Sequence, residues 1–175
     1  RAQRLGAWLA AQGVRPGDRV ALLIGNRPEF LIAFFGVQLA GAIAVPINTL
    51  LKPPEVEFIL NDAQAAWVAT ERAFAPVIAA AAPACPALRG AVVIDPEGTL
   101  PVRTVPWSDL EREAAALADP ETSLPRLLPE HDAGILYTSG TTGRPKGVML
   151  THANYAWDAE AIARCAEMTP ADRFL

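Results

Sequence analysis

The stretch Phe30-Leu31-Ile32-Ala33-Phe34-Phe35-Gly36-Val37-Gln38-Leu39-Ala40-Gly41-Ala42-Ile43-Ala44-Val45-Pro46-Ile47 carries a single polar side chain, Gln38. Its length approaches the roughly 20 apolar residues that a membrane-spanning helix needs. A span would have to run helically through Gly41 and Pro46, residues that end helices rather than extend them. After Gly41 comes a short β-branched run, so the stretch reads as a helix over 28–40, a turn, and a buried strand over 43–46. Because that helix is apolar around its whole circumference, it is expected to be buried and not to lie on a surface. Helix, turn and buried strand belong to a parallel α/β sheet, and no integral membrane span is expected.

The same alternation extends in both directions. Upstream, Leu5, Trp8 and Leu9 lie at helical spacing over 2–12 and Gly13 supplies a stop. The turn Arg15-Pro16-Gly17-Asp18 leads into an apolar strand over 19–24. Downstream, Pro53-Pro54 opens a helix with Val56, Ile59 and Leu60 on one face, and 66–70 reads as the next strand. The Ala- and Pro-rich stretch 73–86 predicts a helix that frays into a loop before a strand over 91–94. Ser108 and Glu111 have capping-box spacing, with a helix expected through Leu117. Pro120, Pro125 and Pro129 make 118–131 a surface connection. The alternation implies a largely parallel sheet covered by helices on both faces.

Composition narrows the function. The 175 residues are 51% hydrophobic with a net charge of −4, so a globular core is feasible while the basic footprint of a nucleic-acid binder is missing. Cys85 and Cys165 stand far apart without companion ligands, which predicts neither a disulfide framework nor a zinc site. The opening Arg1-Ala2-Gln3-Arg4-Leu5 lacks both Met and an export signal, and reads as the interior of a longer product.

The chemistry is concentrated between two apolar strands, 133–137 and 148–151. Joining them is Thr138-Ser139-Gly140-Thr141-Thr142-Gly143-Arg144-Pro145-Lys146-Gly147. Glycines let backbone N–H groups face an anion, the hydroxyls of Thr138, Ser139, Thr141 and Thr142 can donate to phosphate oxygens, and Lys146 adds a positive charge. The loop is not a Walker A sequence, because Pro145 stands where that pattern has Gly before its Lys. It also lacks the G-x-G-x-x-G fingerprint, and it joins two strands as a hairpin instead of entering a helix. By composition alone, a Ser/Thr/Gly-rich surface turn is the bland alternative.

The full string Tyr137-Thr138-Ser139-Gly140-Thr141-Thr142-Gly143-Arg144-Pro145-Lys146-Gly147-Val148-Met149-Leu150-Thr151-His152 closely resembles the signature of the adenylate-forming (AMP-binding) superfamily. Similar in the expected order are Gly17-Asp18-Arg19-Val20-Ala21, Asn26-Arg27-Pro28-Glu29-Phe30, Ala40-Gly41-Ala42, Val45-Pro46-Ile47-Asn48 and Leu60-Asn61-Asp62-Ala63. Residues 73–129 carry the least of the resemblance. It implies that 1–175 form the N-terminal portion of an adenylate-forming domain, with the small C-terminal domain outside this sequence.

Members of this superfamily use ATP and Mg²⁺ to join a carboxylate to AMP and pass the acyl group to a thiol such as coenzyme A. Carried over by motif, Thr138, Ser139, Gly140, Thr141, Thr142 and Gly143 would hold the β and γ phosphates of ATP. Lys146 would assist by clamping the departing pyrophosphate. No metal-ligating residue is assigned. Thr141-Thr142 and Val45-Pro46-Ile47-Asn48 look more like acyl-CoA synthetases than amino-acid-activating domains. The resemblance therefore implies an acid–thiol ligase acting on a carboxylic acid, ATP and coenzyme A in the cytoplasm.

The family's later motifs are absent from these 175 residues, so the stretch alone is expected not to complete an adenylation. A free-standing nucleotide-binding fragment, or a remnant without catalysis, is the alternative. His152 opens the last helix, 153–167, and a local hydrogen bond is the expected role. That helix reads as an ordinary packing helix, with Tyr155, Ala159, Ile162, Ala163 and Ala166 on one face and a Glu160–Arg164 pair outside. Trp8, Trp67, Trp107 and Trp157 read as core or half-buried anchors.

Overall fold

The computed structural model describes residues 1–117, 119, 124–138, 144–169 and 171–173. Strand β1, Arg19–Leu23, lies near the middle of the sheet and alternates as a strand buried on both sides must. Val20 and Leu22 point into one core, Ala21 and Leu23 into the other. β1 pairs in parallel with β2, Ile43–Pro46, and with β3, Trp67–Glu71. Beyond β3 come β4, Gly90–Ile94, and β5, Arg103–Pro106, both parallel. On the other side β2 takes β6, Asp132–Thr138, in parallel, and β6 takes β7, Lys146–Thr151, in antiparallel pairing. The order among the described residues is β5-β4-β3-β1-β2-β6-β7.

Helices α1, Ala2–Ala11, α2, Pro28–Leu39, and α5, Trp107–Ala115, contribute to the core on one face. Helices α3, Pro53–Asp62, and α4, Ala75–Ala81, contribute to the other. Two 3₁₀ turns, Arg72–Phe74 and Ala82–Ala84, flank α4, which is the frayed helix that the sequence suggests. Pro28 and Pro53 each sit in the first turn of their helices, where the missing N–H is not needed. α1 lies so close on α2 that a Cβ at Gly6 would come within 2.8 Å of the Gly36 carbonyl oxygen.

The stretch 30–47 is α2, a turn with Gly41 at φ 74°, and β2. No helix among the described residues is long and apolar enough to cross a membrane. The expectation that α2 is buried all round needs correcting, because Leu31 is 57% and Phe35 52% exposed. Ala33, Gly36 and Val37 face inward. An apolar circumference reports that a surface avoids water in its final setting, not which of these elements covers it.

Three further expectations are corrected. α5 begins at Trp107 with Pro106 as its cap residue, and Ser108 makes no capping bond. The strand β5 delivers the chain straight into the helix at Pro106, so Ser108 already lies in the first turn. β5 itself escapes the sequence reading, since of Arg103, Thr104, Val105 and Pro106 only Val105 is buried. The last helix, α6, His152–Cys165, buries none of its residues, so it is not an ordinary packing helix. Trp157 is 76% exposed and is no anchor, while Trp8, Trp67 and Trp107 are core residues. Trp8 meets Trp67 edge-on, 5.6 Å between ring centres.

Gln38, the lone polar residue in the apolar stretch, is buried and donates its Nε2 hydrogen to the Ala133 carbonyl of β6 at 3.3 Å. It ties the helix that precedes β2 to the strand that lies beyond β2 in the sheet. Replacing it by Leu removes this donor to the Ala133 carbonyl. Gln38→Leu is expected to lower the free energy of urea unfolding by about 1–2 kcal/mol. An unchanged midpoint and slope would show that the tie carries no stability.

Candidate functional site

β6 and β7 form the hairpin that holds the Ser/Thr/Gly-rich loop. Because β6 runs parallel to β2, the loop leaves Thr138 at the carboxyl end of the parallel strands, the end where open α/β sheets bind ligands. Thr138 and Lys146 are register partners at the mouth of the hairpin, both exposed. Ser139, Gly140, Thr141, Thr142 and Gly143 lie outside the described residues. The structure thus brings together two of the residues expected to hold phosphate. Among the described residues the Lys146 ammonium has no ion-pair or hydrogen-bond partner.

The hairpin forms because its alternation matches the pleat. Ile135 and Tyr137 turn toward the core under α3, while Gly134 turns to the opposite face. A Cβ at Gly134 would lie 2.3 Å from the Tyr155 hydroxyl oxygen, so glycine there is what lets α6 lay Tyr155 on the strand. Tyr155 also meets Phe34 of α2 edge-on, 5.6 Å between ring centres. Tyr137 reaches the other way, and its hydroxyl donates to Asp62 Oδ2 at 2.6 Å. Burial, then that hydrogen bond, raises the phenol's pKa above its ordinary value and keeps it a donor. Neither Asp62 nor the space at Gly147 is visible as functional in the sequence, since one looks like a helix end and the other like a turn residue.

α6 is entered through a capping box. Thr151 Oγ1 accepts from the Asn154 amide, and Asn154 Oδ1 accepts from the Thr151 amide at 2.9 Å. The backbone amides of His152 and Ala153 donate to the carbonyls of His131 and Pro129, which fits a helix-entry role for His152. Its Nε2 is nevertheless buried without a hydrogen-bond partner. Burial, and then the nearby His131, pushes the His152 imidazole below its ordinary pKa.

Elsewhere on the carboxyl end of the sheet Arg27 is already held by carboxylates. Glu71, ending β3, accepts from the Gly25 amide at 3.0 Å and from Arg27 Nη1 at 2.9 Å. Arg27 Nε donates to Glu29 at 2.7 Å, and Asp95 after β4 lies 3.9 Å away. The Arg27 bond holds the Glu29 carboxyl below its ordinary pKa. This cluster braces the turn after β1, with Arg27 already paired. Among the described residues no group of three or more His, Cys, Asp or Glu could hold a metal ion.

A family model described as AMP-binding enzyme matches residues 1–175. Over 99% of its length the chain is 39% identical to a long-chain-fatty-acid–CoA ligase of Mycobacterium tuberculosis, covering 32% of that protein. It is 35% identical to a feruloyl-CoA synthase of an Amycolatopsis species, over 100% of this chain and 31% of that one. Among solved structures, an anthranilate CoA ligase in complex with anthranoyl-AMP superposes with a TM-score of 0.81 at 35% identity. It covers 91% of this chain, which spans 30% of that protein. A long-chain-fatty-acid–CoA ligase from Archaeoglobus fulgidus gives 0.83 at 27% identity, over 98% of this chain and 32% of that one. The chain therefore spans about a third of the length of these relatives.

The burial of His152 has a sign that solution measurement can read. A base whose folded pKa is depressed binds fewer protons folded than unfolded, so its stability contribution is complete above about pH 6.5 and is lost as the pH falls through the folded pKa. Unfolding free energy is expected to drop between about pH 7.5 and 5.5, and His152→Gln to flatten that slope. The same slope in both proteins would assign it to other groups.

Proposed function

From the premise that this chain belongs to the AMP-binding enzyme family, we propose that it supplies the phosphate grip of an ATP-dependent acid–thiol ligase. The parent enzyme joins a carboxylic acid to AMP and passes the acyl group to coenzyme A. The observation that carries this reading is the pairing of Thr138 with Lys146, which has no partner among the described residues, at the mouth of a hairpin on the carboxyl edge of the sheet. One hydroxyl donor and one mobile cation there suit phosphate oxygens.

In this reading Thr138, with Ser139, Gly140, Thr141, Thr142 and Gly143, binds the β and γ phosphates, and Lys146 assists by neutralising the pyrophosphate as it departs. Such groups act by positioning and by offsetting developing charge, not by bond making. Magnesium fits as a companion of the nucleotide's phosphates, the usual way that ion is held, and supplies charge neutralisation when bound. The described residues assign it no ligand. The relatives are named for long-chain fatty acids, a feruloyl group and anthranilate, and nothing in the hairpin chooses among them. We place the enzyme in the cytoplasm, where ATP and coenzyme A are available.

The apolar side chains left open here fit the same picture. Leu31 and Phe35 on α2, Leu136 and Val148 on the hairpin, and Trp157 and Ile162 on α6 are all exposed. In this reading they form the surface on which the other two thirds of the ligase packs.

Three outcomes are expected. The product of the whole coding sequence releases AMP and pyrophosphate from ATP only when a carboxylic acid is present, tested with a panel of fatty and aromatic acids. Lys146→Ala lowers its kcat/KM for ATP by roughly 10- to 100-fold, the loss of one assisting charge, with the KM for the acid unchanged. The 175 residues alone form no AMP. Acid-independent ATP cleavage, or full activity of the Lys146 variant, would overturn the reading.

A further inference from the structure

The hydrogen bond between Tyr137 and Asp62 joins residues 75 positions apart in the chain. It depends on a third residue, Gly147, which faces Tyr137 across the hairpin. A Cβ at Gly147 would lie 3.1 Å from Cζ of Tyr137 and 2.8 Å from Cγ2 of Ile135. A side chain at this position would crowd the phenol ring and force it or Ile135 to shift from the path that reaches α3.

The acceptor is itself held in place. Asp62 is the last residue of α3, and the turn after it is gripped by Arg19 of β1. Arg19 Nε donates to the Ala63 carbonyl at 2.5 Å, and its Nη2 to the Gln64 carbonyl at 3.2 Å and side chain at 3.0 Å. Gln64 completes the turn with φ 50°. The hydroxyl of Tyr137 thus bonds to a point fixed to the centre of the sheet.

Tyr137 is followed directly by Thr138, and in a strand successive side chains point to opposite faces. With Tyr137 and Gly147 turned toward α3, Thr138 and Lys146 turn away from it. Fixing the phenol therefore fixes the rotation of both strands at the point where they open into the loop. We propose that the Tyr137–Asp62 hydrogen bond, made possible by Gly147, is a tether that aims Thr138 and Lys146, and that Tyr137 is a positioning residue for the nucleotide's phosphates. The proposal rests on the phosphate-grip reading above and deepens it. It also gives one physical reason for two separate motif stretches, 60–63 and 137–152, to be present in the same chain.

The test uses the whole enzyme for both kinetics and amide exchange. In Tyr137→Phe and in Asp62→Ala the KM for ATP is expected to rise roughly 3- to 10-fold, the loss of one hydrogen bond. The KM for the acid stays put. The double variant is no worse than either single one, and Asp62→Asn, which keeps an acceptor, stays near wild type. Amides of Thr138, Lys146 and Gly147 exchange faster in the Phe variant, while those of β1, β3 and β4 do not. Independent effects in the double variant, an unmoved KM for ATP, or equal acceleration throughout the sheet would each overturn the tether. A wild-type enzyme without acid-dependent ATP turnover would remove the phosphate-grip reading and the tether with it. An active wild type with a normal Phe variant would remove the tether alone.

Discussion

Everything at the candidate site depends on how a hairpin is hung on the edge of β2. That strand is four residues long, and its registered contact with β6 is the single pair Ala44 and Gly134. A parallel pairing so short would not by itself fix the angle of β6 and β7. The missing constraint comes from side chains on both faces. Gln38 donates to the Ala133 carbonyl, Tyr155 lies on Gly134 from one side, and Tyr137 reaches Asp62 from the other. The hairpin is held by a few directional contacts, which suits a structure that must present donors at defined points.

Charge on the carboxyl edge is divided in a matching way. Arg27 is enclosed by Glu29, Glu71 and Asp95, so its field is neutralised within the protein and its role is to lock the turn after β1. Lys146 has no such partners among the described residues. A cation without carboxylates keeps its field for an incoming anion, whereas a fully paired one offers little. Both groups are basic residues in motif stretches, and only their surroundings separate the brace from the grip.

Much of this was legible in the sequence because burial on both faces leaves a simple signature. The apolar runs around Val20, Val45, Val68 and Val92 name the central strands, and Gly41 with Pro46 excludes a membrane span in favour of helix and strand. The two strands of the hairpin were equally plain. Edges were not. β5 carries one buried residue, too few to make a pattern, and exists because β4 offers an unpaired edge. Ser108 had the right spacing for a cap but the wrong neighbour, since the strand ending at Pro106 starts the helix first. Trp157 and Phe35 have the chemistry of core residues, and local pattern cannot say which other part of a protein would cover them.

The two glycines in the strands of the hairpin show why a motif should be read for space as well as for backbone freedom. Gly134 and Gly147 are absent from the described glycines with positive φ, namely Gly13, Gly17, Gly41 and Gly98. Neither is needed to make a turn. Each stands where an aromatic ring from one face must pass, Tyr155 over Gly134 and Tyr137 over Gly147. A side chain at either position would push a ring away and free the strand to rotate. If the tether holds, Gly147 serves the proposed phosphate loop indirectly, by admitting the phenol that sets the loop's stem, and a glycine beside the proposed phosphate-binding lysine need not touch phosphate at all.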